Sequence, residues 1–473
     1  MKWTQQELDR LFNPKVVAVV GDKKDRDYNW LRCCSSLQGK VYSVQIDEKE
    51  IPGIEAMGIP NYKSLVEIPE PVDYVIVTVP RAVAPRVLED AIRKGVGGVM
   101  FFTSGFAETE TEEGVRLQNV LKRMAEEANL KIVGPNCMGI FNPKVGLRHS
   151  QDQYYGEAGN VGVISQSGNL ASQVAALSSV HGIRISKSVS FGNGIVLDAA
   201  DYLEYLGRDQ DTEIIVMYVE GLHDGRRFFN ILREVAVRKP VVVWKGGLTP
   251  EGSRAAFSHT ASLATSPVLW DSLMSQCGAT KVDTLDDILD TVTAFLHIKP
   301  STGRRMGLVA TTGGRSVSMA DAFAKEGFGI PALAESSYQE YSSSFSSIGA
   351  SFRNPLDITP YLRDQEMVRR ILEILGADKN VDAVAYELNL GFLGRRQESF
   401  LDNLVKSLSD YRETLPKPFF AILTAGVREK EAVDVRQLLF KNGIAVYSNF
   451  QRASAAFRRI VEYYANLAEM DSA

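Results

Sequence analysis

Ser258-His259-Thr260 lies near the end of the run KGGLTPEGSRAAFSHTASL, a long stretch of small and polar residues after the apolar strand Val241-Val242-Val243-Trp244, with Gly246 and Gly247 at its start. A loop of that composition presents a side chain rather than merely closing a turn. An imidazole with a pKa of ~6.5 can serve there as base or nucleophile at neutral pH. A second group is Ser165-Gln166-Ser167-Gly168, which directly follows an apolar strand and opens the helical stretch 169–179. It puts small residues and free backbone N–H groups at a helix N-terminus, which suits an anion as well as an ordinary N-cap. Glu220 is the third, just past the strand expected at 214–218. In a parallel sheet, ligands collect at the carboxyl ends of the strands, so all three groups are expected on one rim.

The elements that must position them alternate. Short β-branched runs at 16–20, 41–46, 74–79, 98–102, 131–133, 161–165, 214–218, 241–245, 306–310, 383–387, 419–424 and 444–447 are separated by helix-period segments such as 85–94 and 113–128. That alternation predicts an α/β, doubly wound architecture of parallel sheets. At 473 residues the chain exceeds one core. Polar, turn-rich stretches near 144–159 and 297–305 divide it into three expected domains, 1–145, 155–298 and 304–473.

Composition narrows the function classes. A net charge of −5 and the lack of a long basic run argue against nucleic acid as partner. No apolar stretch approaches the ~20 residues of a membrane span, and the N-terminus lacks the apolar core of a signal peptide. Cys33, Cys34, Cys137 and Cys277 show no metal-ligand or CxxC spacing. They are expected as reduced thiols in a cytoplasmic protein without a metal site.

The second and third domains read as copies. VGVISQSG (161–168) matches MGLVATTG (306–313), DYLEYLGRDQDTEIIVMYVE matches RRILEILGADKNVDAVAYEL, and Lys239-Pro240 before VVVWKGG matches Lys417-Pro418 before FFAILTAG. With Tyr218 aligned on Tyr386, Glu220 falls opposite Leu388. Gly247 to Gly278 spans 31 positions and Gly426 to Gly443 spans 17, so the first copy carries 14 extra residues, His259 among them. An unmatched acid and a polar insertion in one copy of a duplicated scaffold point to chemistry there. The first domain begins with a strand and Gly21, but GDKKDRDYNW lacks GxGxxG, which disfavours an NAD enzyme. Lys23, Lys24 and Arg26 are left as side-chain contacts to phosphate or as a solvated loop.

GPNCMG (134–139), VGVISQSG, YVEG (218–221), KPVVVWKGG and SHT (258–260), with Asn354-Pro355-Leu356-Asp357, together resemble the alpha subunit of the NDP-forming acyl-CoA synthetases. These are the ADP-forming acetyl-CoA synthetase group of the succinyl-CoA synthetase superfamily. The resemblance spans nearly the whole chain. It implies a Rossmann-like CoA-binding domain followed by two flavodoxin-like domains. It also implies an acid–thiol ligase that interconverts acyl-CoA, ADP and phosphate with carboxylic acid, CoA and ATP through an acyl phosphate and a phosphohistidine. His259 would carry the phosphoryl group, Glu220 would orient the imidazole, and Ser165, Gln166, Ser167 and Gly168 would hold phosphate. CoA would lie along Gly21, Asp22, Lys23, Val79, Pro80, Arg81, Ser104, Gly105, Asn136 and Cys137. ATP or ADP with Mg2+ would sit on an ATP-grasp beta subunit, in a hetero-oligomer such as α2β2, with no metal held by this chain. A non-catalytic CoA or acyl-CoA sensor or scaffold, or another phosphohistidine CoA enzyme of the superfamily, is the alternative. Keeping both His259 and Glu220 favours catalysis, because a binding module needs neither. Where the family typically shows SHTGALAG this chain has SHTASLAT, so Ala261 replaces a glycine free to take positive φ.

Overall fold

The chain builds three sheets, each mostly or wholly parallel. The computed structural model describes residues 3–254, 266–393 and 398–472. Two compact units emerge, Met1–Ser179 with Arg184–Asp283, and Val180–Ile183 with Thr284–Ala473. No helix among the described residues is long and apolar enough to cross a membrane.

In the first unit, strands β1 (Val16–Val20), β2 (Lys40–Val44), β3 (Asn61–Tyr62), β4 (Tyr74–Val77), β5 (Gly98–Phe101) and β6 (Lys131–Val133) form one sheet in the order β3-β2-β1-β4-β5-β6. Every pairing in it is parallel. β1, β4, β5 and β6 are buried along their whole length, as expected of apolar runs covered by helices on both faces. This is the dinucleotide-fold order, with its switch point beside β1.

The same unit holds a second sheet, β7 (Gly139–Phe141), β8 (Val161–Ser165), β9 (Ile185–Ser190), β10 (Ile214–Val219), β11 (Val241–Lys245) and β12 (Thr280–Val282), in the order β12-β11-β10-β8-β9-β7. Its five parallel strands follow the flavodoxin order, and β7 adds an antiparallel edge on β9. The N-terminal helix Gln5–Phe12 knits the two sheets together. Phe12 stacks on Tyr205 at a centroid distance of 4.4 Å, and the Tyr205 hydroxyl donates to Asp9 at 2.8 Å. Strands β3, β7, β9 and β12 were not expected from the sequence. β9 reads ISKSVS, a polar run, yet all six residues are buried because Lys187 is neutralised by Asp209 at 2.8 Å.

The second unit contains β13 (Met306–Ala310), β14 (Leu356–Asp357), β15 (Ala383–Asn389), β16 (Phe419–Thr424) and β17 (Val446–Tyr447), ordered β14-β13-β15-β16-β17. Strand for strand this repeats the parallel part of the second sheet, as a duplication requires. The helix Leu285–His297 belongs to this unit, where Asp287 and Asp290 accept from Arg459 and Arg452 of the long C-terminal helix Phe450–Ser472. The register corrects the alignment of the copies by one residue. Tyr218 lies beside Ser165, whereas Tyr386 lies beside Val309, so the residue beside Ala310 is Glu387. LEYLG at 203–207 and LEILG at 372–376 give the same offset. Glu220 therefore corresponds to Asn389 and Tyr218 to Glu387, and Leu388 is not the counterpart of Glu220.

Each unit also buries a histidine that must stay neutral. Burial holds the pKa of His149 down to about 4. His297 is likewise lowered to about 4, by burial and then by the neighbouring Arg412. Below pH ~6.5 the unfolded chain takes up protons at these positions and the folded chain does not until about pH 4, so stability falls as pH drops through that window. Urea denaturation should show a loss of up to about 1.4 kcal/mol per pH unit for each histidine. His149→Gln should flatten the pH dependence, and an unchanged slope would contradict this origin.

Candidate active site

Loops at the carboxyl ends of β1, β4, β5 and β6 face the start of the helix after β8, and together they line a cleft of about 770 Å³. The first turn is possible because residue 21 is glycine. Its φ is +82° and a Cβ there would lie 2.4 Å from Val79 Cγ1, so the loops after β1 and β4 meet over a bare Cα. Asp22 turns inward, its carboxylate accepting from the backbone N–H groups of Lys23 (3.1 Å) and Leu31 (2.9 Å). Burial raises its pKa against those hydrogen bonds. Lys23, Asp25 and Arg26 continue the lining, with the Arg26 guanidinium 5.7 Å from the Phe102 ring centroid. Lys24 is not on the lining; its N–H donates to Glu50 at 2.9 Å.

Val79, Pro80, Arg81 and Ser104 form the next wall. Arg81 is pinned, donating from Nη1 to the Gly105 carbonyl and from Nη2 to Glu113 at 3.1 Å. Gly105 thus stands one step behind the lining and acts through Arg81. Asn136 takes a left-handed conformation, φ +58°, and Cys137 lies next to it. The Cys137 Sγ points to the Phe101 carbonyl at 3.7 Å, and burial pushes its pKa up to about 12, so it is a protonated thiol set into the floor. Thr103 and Met138, in strand-end loops expected to border a ligand, also line the cleft; Gly192, Phe102, Thr78 and Asn169 complete it and were not singled out from the sequence. Gly192 follows β9, the strand whose polar composition hid it, and its Cα packs so near the Asn136 carbonyl that a Cβ would lie 2.2 Å from the oxygen.

On the opposite side Gln166, Ser167 and Gly168 line the cleft at the start of the helix Gly168–Val180. Ser165 is buried behind them, donating from Oγ to the Ser167 carbonyl at 2.7 Å. Ser167 Oγ accepts from Leu170 N–H at 3.3 Å, the N-cap role. Gln166 does more: its Oε1 accepts the backbone N–H groups of Glu220 (2.7 Å) and Gly221 (3.0 Å), tying the end of β8 to the end of β10.

Glu220 is buried, with 8% of its surface exposed. Its Oε1 accepts from the Tyr218 hydroxyl at 3.1 Å, while Oε2 has no partner among the described residues. Lys245 donates to the Glu220 and Gly246 backbone carbonyls, at 2.7 and 2.5 Å. Burial lowers the Lys245 pKa, opposed by the charge of Glu220. A buried carboxylate with one orphaned oxygen is costly and is suited to accept from a cationic or N–H partner. His259 lies outside the described residues, between Arg254 and Ser266. The second unit treats the same corner differently. Glu387, at the position of Tyr218, is fully buried and accepts from Thr311 N–H (2.9 Å), Thr311 Oγ1 (2.7 Å) and Arg315 Nε (2.6 Å). That copy is closed by its own ion pair. Among the described residues no three His, Cys, Asp or Glu side chains converge as a metal site.

Comparison with known proteins agrees with both sheets of the first unit. Residues 15–143 match a CoA binding domain and residues 158–295 match a succinyl-CoA ligase like flavodoxin domain. The chain is 35% identical to the acetate–CoA ligase (ADP-forming) II subunit alpha of Pyrococcus furiosus, over 97% of this chain and 98% of that one. It is 36% identical to acetate–CoA ligase (ADP-forming) I of Archaeoglobus fulgidus over 80% of this chain, a match covering 54% of that longer protein. The solved structure of the Ca. Korarchaeum cryptofilum dinucleotide forming acetyl-coenzyme A synthetase 1, in complex with phosphate and ADP, superposes with a TM-score of 0.85 at 30% identity, covering 100% of this chain and 99% of that one. This chain therefore belongs to the alpha-subunit family of the NDP-forming acyl-CoA synthetases, within the succinyl-CoA synthetase superfamily.

Proposed function

We propose that the chain works as the acyl- and phosphoryl-transferring alpha subunit of an ADP-forming acid–CoA ligase. The observation that carries this reading is the single cleft between the loop ends of the CoA-binding sheet and the Ser165–Gly168 helix start, with Gln166 joining that start to Glu220. In the acyl-CoA-consuming direction, a phosphate oxygen attacks the thioester carbonyl. The C–S bond breaks, the thiolate leaves as CoA and an acyl phosphate forms. A His259 ring nitrogen then attacks phosphorus, the P–O bond to the acyl group breaks, and the carboxylate leaves. Finally a β-phosphate oxygen of ADP takes the phosphoryl group from His259, giving ATP and free imidazole. The N–H groups at the helix start stabilise the spread charge of the phosphoryl group. Glu220 Oε2 accepts from the imidazole N–H, fixing the tautomer and countering the charge that grows on the ring.

ATP or ADP with Mg2+ belongs, in this proposal, to an ATP-grasp beta subunit, paired with this chain as α2β2. CoA spans Gly21 to Lys23, Val79 to Arg81, Ser104, Gly105, Asn136 and Cys137, with Gly105 shaping its loop from behind. Domain limits at 145, 155, 298 and 304, testable by limited proteolysis, and a cytoplasmic setting suited to four buried free thiols, are part of the same reading. The test is incubation with acetyl phosphate, or with labelled ATP and a beta subunit, followed by separation of protein-bound label. Acid-labile, alkali-stable label is expected on the wild type, absent in His259→Ala and discharged by ADP. Label that survives His259→Ala would overturn the nucleophile, and no label with any acyl phosphate or with ATP and the partner would overturn the activity.

A further inference from the structure

Away from the cleft, a second cavity of about 710 Å³ opens beside the start of β2 in the first sheet, and its wall carries Arg148. Arg148 is 8% exposed, donating from Nε to Ser36 Oγ (2.7 Å) and from Nη1 to the carbonyls of Gln151 (2.7 Å) and Gln153 (3.2 Å). The Tyr155 ring covers one face of the guanidinium, 4.7 Å from centroid to Cζ. All three acceptors are neutral. No carboxylate among the described residues forms an ion pair with this arginine, and Nη2 has no protein acceptor among them. The one other cation on the lining, Arg32, is already paired with Asp27 at 3.1 Å. The accessible apolar part of the wall comes from Val41, Met57 and Ile59, beside the polar Ser35 and Gln151.

A desolvated guanidinium without a counter-ion is expensive. Held rigid by three hydrogen bonds and a stacked ring, it is preorganised to offer its remaining N–H donors to an anion. The aliphatic walls add a preference for a tail. We infer that this cavity binds an aliphatic monocarboxylate, its carboxylate on Arg148 and its chain along Met57 and Ile59. The thiol on the lining, Cys34, takes no part: burial raises its pKa well above the ordinary thiol value. The inference does not rest on the ligase reading, although a carboxylic acid reactant would then also be a ligand here.

The test uses the full chain carrying ¹³C-methyl methionine, with the Met57 signal assigned by Met57→Leu. Butyrate should shift the Met57 signal saturably, acetate should bind roughly fivefold more weakly, as expected for the loss of two partly buried methylenes, and butyramide and inorganic phosphate should leave it in place. Arg148→Met should abolish the shift. Because that variant could misfold, Ile59→Trp, which fills the groove and leaves the guanidinium untouched, should abolish it too. A Met57 signal that ignores butyrate, answers equally to butyramide or phosphate, or still responds in a folded variant of either kind would overturn the inference.

Discussion

Glu220→Gln is expected to slow phosphorylation of the chain by acyl phosphate by about 100- to 10,000-fold while leaving CoA affinity within twofold, the range for loss of a group that supports a catalytic histidine. Glutamine keeps the volume, and its carbonyl can still accept from the Tyr218 hydroxyl, so the fold of the corner is retained. What disappears is the negative charge and one of two acceptor oxygens, the one that no described residue satisfies. Glu220 is absent from the cleft lining, which Gln166 occupies in front of it, so a defect confined to the phosphoryl step separates orientation from binding. Rapid-quench measurement of label incorporation, beside calorimetry with CoA, reads the two effects independently. Unchanged label kinetics would remove Glu220 from the mechanism.

The largest stability effect is expected at Lys187. Its Nζ donates to both oxygens of Asp209, at 2.8 and 2.9 Å, and to Asp211 at 3.0 Å, with 2% of the lysine side chain and 8% of the aspartate exposed. Lys187→Met strands the Asp209 charge in the sheet interior, with, among the described residues, only the Thr212 side chain still donating to it at 2.6 Å. Breaking one side of such a pair costs about 3–5 kcal/mol. Urea denaturation should show that loss, and Lys187→Met with Asp209→Asn should recover most of it, because the neutral pair has no charge to leave unpaired. A loss below about 1 kcal/mol would mean that solvent reaches the pair.

That ion pair also explains what the sequence did not reveal. Strands such as Val16–Val20 and Phe419–Thr424 are buried on both faces and announce themselves by composition alone. β9 is equally buried but is built from serines and Lys187, with a register irregularity opposite Val161 and Gly162 that breaks alternation. Ser186, Lys187 and Ser190 pair with Thr212, Asp209 and the Met138 N–H, all more than twenty positions away, a pairing that no local window contains. β14 is two residues long and leaves almost no pattern. The site divides in the same way. The strand-end loops after β1, β4, β5, β6 and β8 were legible because each follows an apolar run, and ligands collect at such ends. Gly192 was not, since its strand was not. The mismatch of Glu220 with Leu388 arose from aligning two tyrosines that occupy different rungs of their sheets, an ambiguity that only pairing register removes.

The contrast between Glu220 and Glu387 has a thermodynamic consequence. The corner sealed by Arg315 and Thr311 is satisfied from within, and its contribution to stability needs no bound ligand. The open corner forgoes that contribution until something binds to the folded state, after which stability grows with the logarithm of ligand concentration. On the proposed function, the two homologous modules would couple differently to the medium: one indifferent to metabolite levels, the other reporting them through its own resistance to unfolding.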